Sequence, residues 1–137
     1  MRAIAFGTFD TLHPGHLSYL SQAGVFGDEL IVVVARDANV LKSKGRLPRE
    51  NEEVRRQKVE DAVKELGLKG RVILGNKVDR WQLLRELRPD IICLGYDQQV
   101  DLKALDELIV SERFFCEIKR LISYHPEKYK SSLFRKD

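Results

Sequence analysis

Little in this chain points to covalent cross-linking or to a membrane. It has only two cysteines in 137 residues. Cys93 and Cys116 each sit in an apolar run and lack the spacing of a metal site, which excludes a disulfide scaffold and a zinc module; both read as core thiols. No apolar stretch approaches the roughly 18 residues of a membrane-spanning helix, and no charged-then-apolar leader precedes the first strand-like run. The sequence therefore predicts a cytoplasmic protein with no membrane partner. Internal repeats, low-complexity tracts and Pro/Ser linkers are missing too, so one domain over residues 1–137 is expected. Net charge is only +3, from 24 Lys plus Arg and 21 Asp plus Glu, and it is spread along the chain. With no RNP-type or zinc-finger spacing, that balance suits small anionic ligands, and no nucleic-acid partner is expected.

The apolar residues come in short continuous runs at Ala3–Phe6, Leu30–Ala35, Val72–Leu74 and Ile91–Leu94, with an edge strand expected at Phe114–Ile122. Continuous rather than alternating runs mark strands buried on both faces, hence a mostly parallel sheet. Helical segments fall between them, from Pro14 to about Ala23, Glu52 to Leu66, Arg80 to Leu87 and Leu102 to about Val110. Gly67 and Pro89 stand where the second and third of these should stop. The βαβ alternation predicts a single Rossmann-like α/β domain with a five-stranded, mostly parallel sheet and helices on both faces. Ligands in such sheets bind beyond the carboxyl ends of the strands, so the residues after each strand carry the functional reading.

After the first strand the chain reads Gly7-Thr8-Phe9-Asp10-Thr11-Leu12-His13-Pro14-Gly15-His16. A strand that ends at glycine and turns into a helix can hold a phosphate. Pro14 fits the first helical position, and the next backbone N–H groups with the helix dipole form an anion site. His13 and His16 flank that start. They can donate hydrogen bonds to phosphate oxygens and, if protonated, neutralise developing charge. His16 shares a face with Leu20 and Ala23, so it points towards the sheet.

This segment resembles the signature of the cytidylyltransferase-like nucleotidyltransferases. The resemblance implies that an acceptor phosphate attacks the α-phosphorus of a nucleoside triphosphate and that pyrophosphate leaves. By it, His13 and His16 contact the triphosphate, Thr8 and Phe9 hold the nucleotide through the main chain, Pro14 and Gly15 complete the nucleotide loop, and Asp10 orients a metal or the acceptor.

Three further segments extend the site. The second strand is followed by Arg36-Asp37 and a basic loop with Lys42, Lys44 and Arg46; family members often place a lysine here against the phosphates, and Lys42 and Lys44 are both candidates. Arg55 lies within about 30° of the buried stripe Val59, Ala62, Val63 and Leu66, taking 100° per residue, and an inward arginine needs an anionic partner. By resemblance it approaches the phosphates or the acceptor. After the fourth strand comes Gly95-Tyr96-Asp97-Gln98, where the carboxylate can hold a ribose hydroxyl or a base amine. This tetrapeptide most resembles archaeal-type FAD synthases. The Arg-Thr-x-Gly-Ile-Ser-Thr ending of the glycerol-phosphate branch is missing, and the tail instead offers Tyr124, which could stack on a base, and Ser131 and Ser132, whose hydroxyls can reach phosphate.

The expected activity is transfer of AMP from ATP to FMN with a divalent metal, Mg²⁺, giving FAD and pyrophosphate. By resemblance a homodimer is possible. The alternatives are a CTP-dependent transferase acting on glycerol 3-phosphate or phosphocholine, and a nucleotide-binding module without turnover.

Overall fold

The computed structural model describes residues 1–75, 82–95, 102–113 and 116–121. The aliphatic runs become β1 (Arg2–Gly7), β2 (Glu29–Val34), β3 (Gly70–Leu74), β4 (Ile91–Leu94) and β5 (Glu117–Arg120). They form one sheet in the order β3-β2-β1-β4-β5, and every neighbouring pair is parallel. The helices are α1 (Pro14–Val25), α2 (Asp37–Lys44), α3 (Glu52–Glu65), α4 (Gln82–Leu87) and α5 (Leu102–Ser111).

Continuous apolar strands arise because both faces of the sheet are covered. Ala3, Ala5, Leu30, Val32, Val34 and Cys93 pack with Leu20 and Ala23 of α1 and Val59, Ala62 and Val63 of α3. Ile4, Ile31, Val33, Ile92 and Leu94 pack on the other side with Leu84 of α4 and Leu105 and Leu108 of α5. Each fully buried Leu, Ile or Val contributes about 1.5–3 kcal/mol, so these two layers fix which way every strand-end loop faces. Cys93 belongs to the first layer and Cys116 packs against the second. Burial pushes their thiols up, to about 11 and about 12; Cys93 is the core thiol the sequence suggested, whereas Cys116 is only half-buried.

The chain runs outward from β1 through β2 to β3, then crosses to β4 and β5 on the other side. The switch point therefore lies between β1 and β4, where a crevice is expected. No helix among the described residues is long and apolar enough to cross a membrane.

Most strand and helix ends move by one or two residues, and two features differ more from the sequence reading. The edge strand is shorter, Glu117–Arg120. The segment expected as a basic loop after the second strand is the helix α2. Only Val40 of its eight residues is buried, so it has no apolar stripe to reveal it. Its marks are Asp37 in the first turn and Gly45 at the end, in the left-handed region at φ 78°, where glycine ends a helix without a Cβ penalty.

Candidate active site

The loop between β1 and α1 is held in an unusual shape. Phe9 and Thr11 both have φ near 55°, which is costly for bulky and β-branched side chains and persists only when the surroundings enforce it. Phe9 is 3% exposed. Its ring lies so close to Gly7 that a Cβ there would come within 2.7 Å of it, so glycine is required by the packing. The same ring meets His16 edge-on at 5.5 Å and stacks against Tyr19 at 6.2 Å.

His13 is the N-cap of α1 and His16 its third residue, and the two cap each other's backbone. His13 Nδ1 accepts from the Gly15 N–H at 3.0 Å, and His16 Nδ1 accepts from the His13 N–H at 3.3 Å. A ring nitrogen that accepts a backbone proton carries none itself, so the proton of each neutral ring sits on Nε2. The rings stack 3.8 Å apart. Burial, then the neighbouring His13, pushes His16 down to about 3; Asp10 opposes this and Lys44 adds to it. Burial lowers His13 as well.

With both Nδ1 atoms accepting, the histidines are neutral Nε2–H donors, the first of the two roles that the sequence allowed. The expectation of an anion site built from first-turn amides changes. The first-turn amides are engaged within the chain, Gly15 N–H by His13 Nδ1 and the His16 and Leu17 N–H groups by the His13 carbonyl. The donor edge at this helix start therefore belongs to imidazoles. Pro14 stands at the first helical position, as its missing N–H suggested.

Arg55 and Asp10 turn inward, and protein groups meet them there. Arg55 is 0% exposed. Its Nε donates to the Glu50 carbonyl at 2.9 Å, one terminal nitrogen donates to the carbonyls of Thr8 at 2.7 Å and Ala35 at 2.8 Å, and the other pairs with Asp37 at 2.6 Å. The anionic partner that its burial requires is supplied within the chain by Asp37. Asp10 is 5% exposed, and its carboxylate accepts the N–H groups of Arg49 at 2.9 Å and Glu50 at 3.1 Å.

Asp37 and Glu52 also cap each other's helices, each accepting the other's backbone N–H. Arg36 joins Glu52 at 3.1 Å and the Gly75 carbonyl at 2.8 Å. Glu50 pairs with Lys58 and accepts the Thr11 N–H. This network fastens α2, α3 and the intervening loop to the ends of β1 and β2. The acidic members Asp37, Glu50 and Glu52 carry no role in the sequence reading, although burial of Arg55 required an acid nearby.

Of the two lysine candidates, Lys44 comes to the site. Its Nζ lies 3.3 Å from Thr8 Oγ, and its charge reaches His16. Lys42, on the same helix, is exposed. Asp97, Tyr124, Ser131 and Ser132 lie outside the described residues. Next to them, the Gly95 carbonyl at the end of β4 accepts from Arg120 at 2.8 Å. Among the described residues no group of three or more His, Cys, Asp or Glu side chains could hold a metal ion, and Asp10 is engaged by two backbone amides.

The cytidylyltransferase-like family model matches residues 4–137. The chain is 43% identical over 121 residues to the FAD synthase of Methanosarcina acetivorans, covering 88% of this chain and 76% of that one. It is 43% identical over 124 residues to the FAD synthase of Aciduliprofundum boonei, covering 90% and 80%. A solved structure described as the lipopolysaccharide core biosynthesis protein of Thermoplasma volcanium superposes with a TM-score of 0.79 at 39% identity, covering 90% of this chain and 98% of that one. The pantothenate synthetase of Thermus thermophilus shares the fold at a TM-score of 0.60 and 15% identity, covering 98% and 63%. With its histidine pair at the end of the first parallel strand, the chain belongs to the cytidylyltransferase-like nucleotidyltransferase family and groups there with the archaeal FAD synthases.

Proposed function

We propose that residues 1–137 act as one nucleotidyltransferase domain that transfers AMP from ATP to FMN. A phosphate oxygen of FMN attacks the α-phosphorus, the bond from that phosphorus to the bridging oxygen of the β-phosphate breaks, and pyrophosphate leaves. The FMN phosphate is already ionised at neutral pH, so the chain need supply no strong base. Its task is to hold the reactants in line and to stabilise charge on the transferring group.

The observation that carries this reading is the stacked pair of imidazoles at the mouth of the β1–α1 loop, each with its Nδ1 accepting a backbone N–H. Neutral rings whose Nδ1 atoms are fixed by the backbone offer oriented donors without repelling each other, as two stacked imidazolium ions would. Lys44 contributes positive charge beside Thr8. Asp97 and Tyr124 are the candidates for holding the nucleoside, and Ser131 and Ser132 for phosphate. Arg55 acts through the backbone it braces.

The donor set among the described residues does not build a closed metal site, so Mg²⁺ would come with the triphosphate, its usual partner, where it neutralises phosphate charge. The FAD synthase names of the relatives support FMN as the acceptor, and a reaction on ATP and FMN suits a cytoplasmic enzyme.

The test is a product assay with purified protein, Mg²⁺ and FMN, supplied with either ATP or CTP and resolved by chromatography. FAD formed only with ATP is the expected result. No flavin dinucleotide with either nucleotide overturns the proposal and directs the assay to CTP with glycerol 3-phosphate or phosphocholine.

A further inference from the structure

The β1–β2 ladder continues through Gly7–Val34, and the Ala35 N–H still reaches the Gly7 carbonyl at 2.9 Å. On its other side β1 leaves β4 earlier, since that pairing ends at Ala5–Cys93. The sheet thus divides at the level of Phe6, on the side where the strand order reverses and the crevice opens.

The phenol of Tyr19 sits at the division. Its oxygen is 2.8 Å from the Cys93 carbonyl, 3.2 Å from the Phe6 carbonyl and 3.3 Å from the Phe6 nitrogen. Its one proton goes to the carbonyls, the nearer being Cys93, and its lone pairs face the Phe6 N–H. A buried hydroxyl is costly without partners. Here both strands supply them, so the hydroxyl is bound at the fork where the strands part.

Tyr19 is also one helical turn beyond His16. Its ring backs Phe9 at 6.2 Å, and Phe9, held at a positive φ, meets the His16 ring at 5.5 Å. One side chain therefore touches the opening of the crevice and supports the strained residue against which His16 rests.

We propose that Tyr19 is a positioning residue: its hydroxyl sets the width of the β1–β4 crevice for the nucleotide, and its ring, through Phe9, orients His16. The inference rests on the nucleotidyltransferase reading above and assigns the two parts of one side chain to two separable effects. Tyr19→Phe keeps the ring and removes the hydroxyl. Tyr19→Leu removes both.

The experiment measures ATP and CTP affinity by calorimetry, and turnover at saturating substrates, for the wild type and both variants, with circular dichroism to follow folding. For Tyr19→Phe we expect a folded protein whose nucleotide Kd rises at least about tenfold while kcat falls less than about threefold. For Tyr19→Leu we expect the same loss of affinity and a further fall in kcat of at least about tenfold. A merely structural role would lower the melting temperature in both variants and leave Kd and kcat of the folded fraction unchanged, which overturns the inference. Wild-type affinity retained by Tyr19→Phe also overturns it and leaves the nucleotidyltransferase reading intact. A wild-type protein that binds neither nucleotide overturns both. If Tyr19→Leu does not fold, the Kd and kcat of Tyr19→Phe decide between these results.

Discussion

Replacing Arg55 by alanine should unfold or nearly unfold this protein before it reveals anything about catalysis. The guanidinium is fully buried and makes three hydrogen bonds to backbone carbonyls and one ion pair with Asp37. Removing it leaves Asp37, still about a quarter exposed at 28%, without its closest cation, and strands the carbonyls of Thr8, Ala35 and Glu50. Breaking a buried pair by deleting one partner costs about 3–5 kcal/mol. An unsatisfied buried acceptor costs about 1–3 kcal/mol, although water entering the cavity would recover part of that. A net loss of about 5 kcal/mol is comparable to the whole stability of a marginal domain, about 5–15 kcal/mol.

Arg55→Lys keeps a charge but only a compact donor group, so it should lose about 2–3 kcal/mol, the value of one or two charged hydrogen bonds. The assay is urea unfolding followed by circular dichroism, with FAD formation measured on whatever fraction remains folded. A stable Arg55→Ala protein, within about 1 kcal/mol of wild type and inactive, would refute the bracing role and restore Arg55 as a residue that touches phosphate.

Four further outcomes are expected. His16→Ala should fold but lower kcat at least about a hundredfold, since losing one preorganised donor costs about 3–4 kcal/mol in the transition state. The same residue makes stability depend on pH. Its pKa in the fold is about 3, against about 6.5 when unfolded, so the unfolded chain takes up a proton that the folded chain refuses. The contribution is complete above pH 6.5 and is lost towards pH 3, at up to about 1.4 kcal/mol per pH unit. Urea titrations between pH 7 and pH 4 should therefore show a shallower fall for His16→Gln, and an identical slope would contradict the burial argument. Asp10→Asn should loosen the loop that it holds by the Arg49 and Glu50 amides, read as faster trypsin cleavage after Arg46 and Arg49; an unchanged cleavage rate would mean the loop is held elsewhere. Gly7→Ala would place a methyl within 2.7 Å of the Phe9 ring, and kcat should fall because the Phe9–His16 contact moves; an unaffected kcat would uncouple Phe9 from His16.

The features legible in the sequence were those written in local pattern. The apolar runs at residues 3–6, 30–35, 72–74 and 91–94 announced strands covered on both sides, and Pro14 between two histidines announced the helix start. What was not legible depends on long-range pairing. The helix α2 buries only Val40 and is held at its N-terminus by Glu52, 15 residues away, so no window of its own sequence contains the cause. Arg55 could be placed on the inward face by periodicity, but its anion could have been a ligand or the protein. Only the fold brings Asp37 within 2.6 Å. Tyr19 was hidden for a related reason: at three residues past His16 it lay beside a known face, yet its role requires knowing that β1 and β4 part at Phe6.

These positions explain why the histidines can be neutral. An imidazole in water would be partly protonated near pH 6.5, and two cations 3.8 Å apart would repel. Phe9, backed by Tyr19, walls one side of His16 with aromatic surface, and burial lowers its pKa further than the nearby Asp10 raises it. Two neutral rings can then cap each other's backbone through Nδ1, which fixes both Nε2–H bonds before any substrate arrives. On the proposed reading, a triphosphate entering the crevice would meet donors already oriented, with little reorganisation left for the moment of transfer. A protonated His16 could no longer accept the His13 N–H, so the capping pair itself requires the neutral ring.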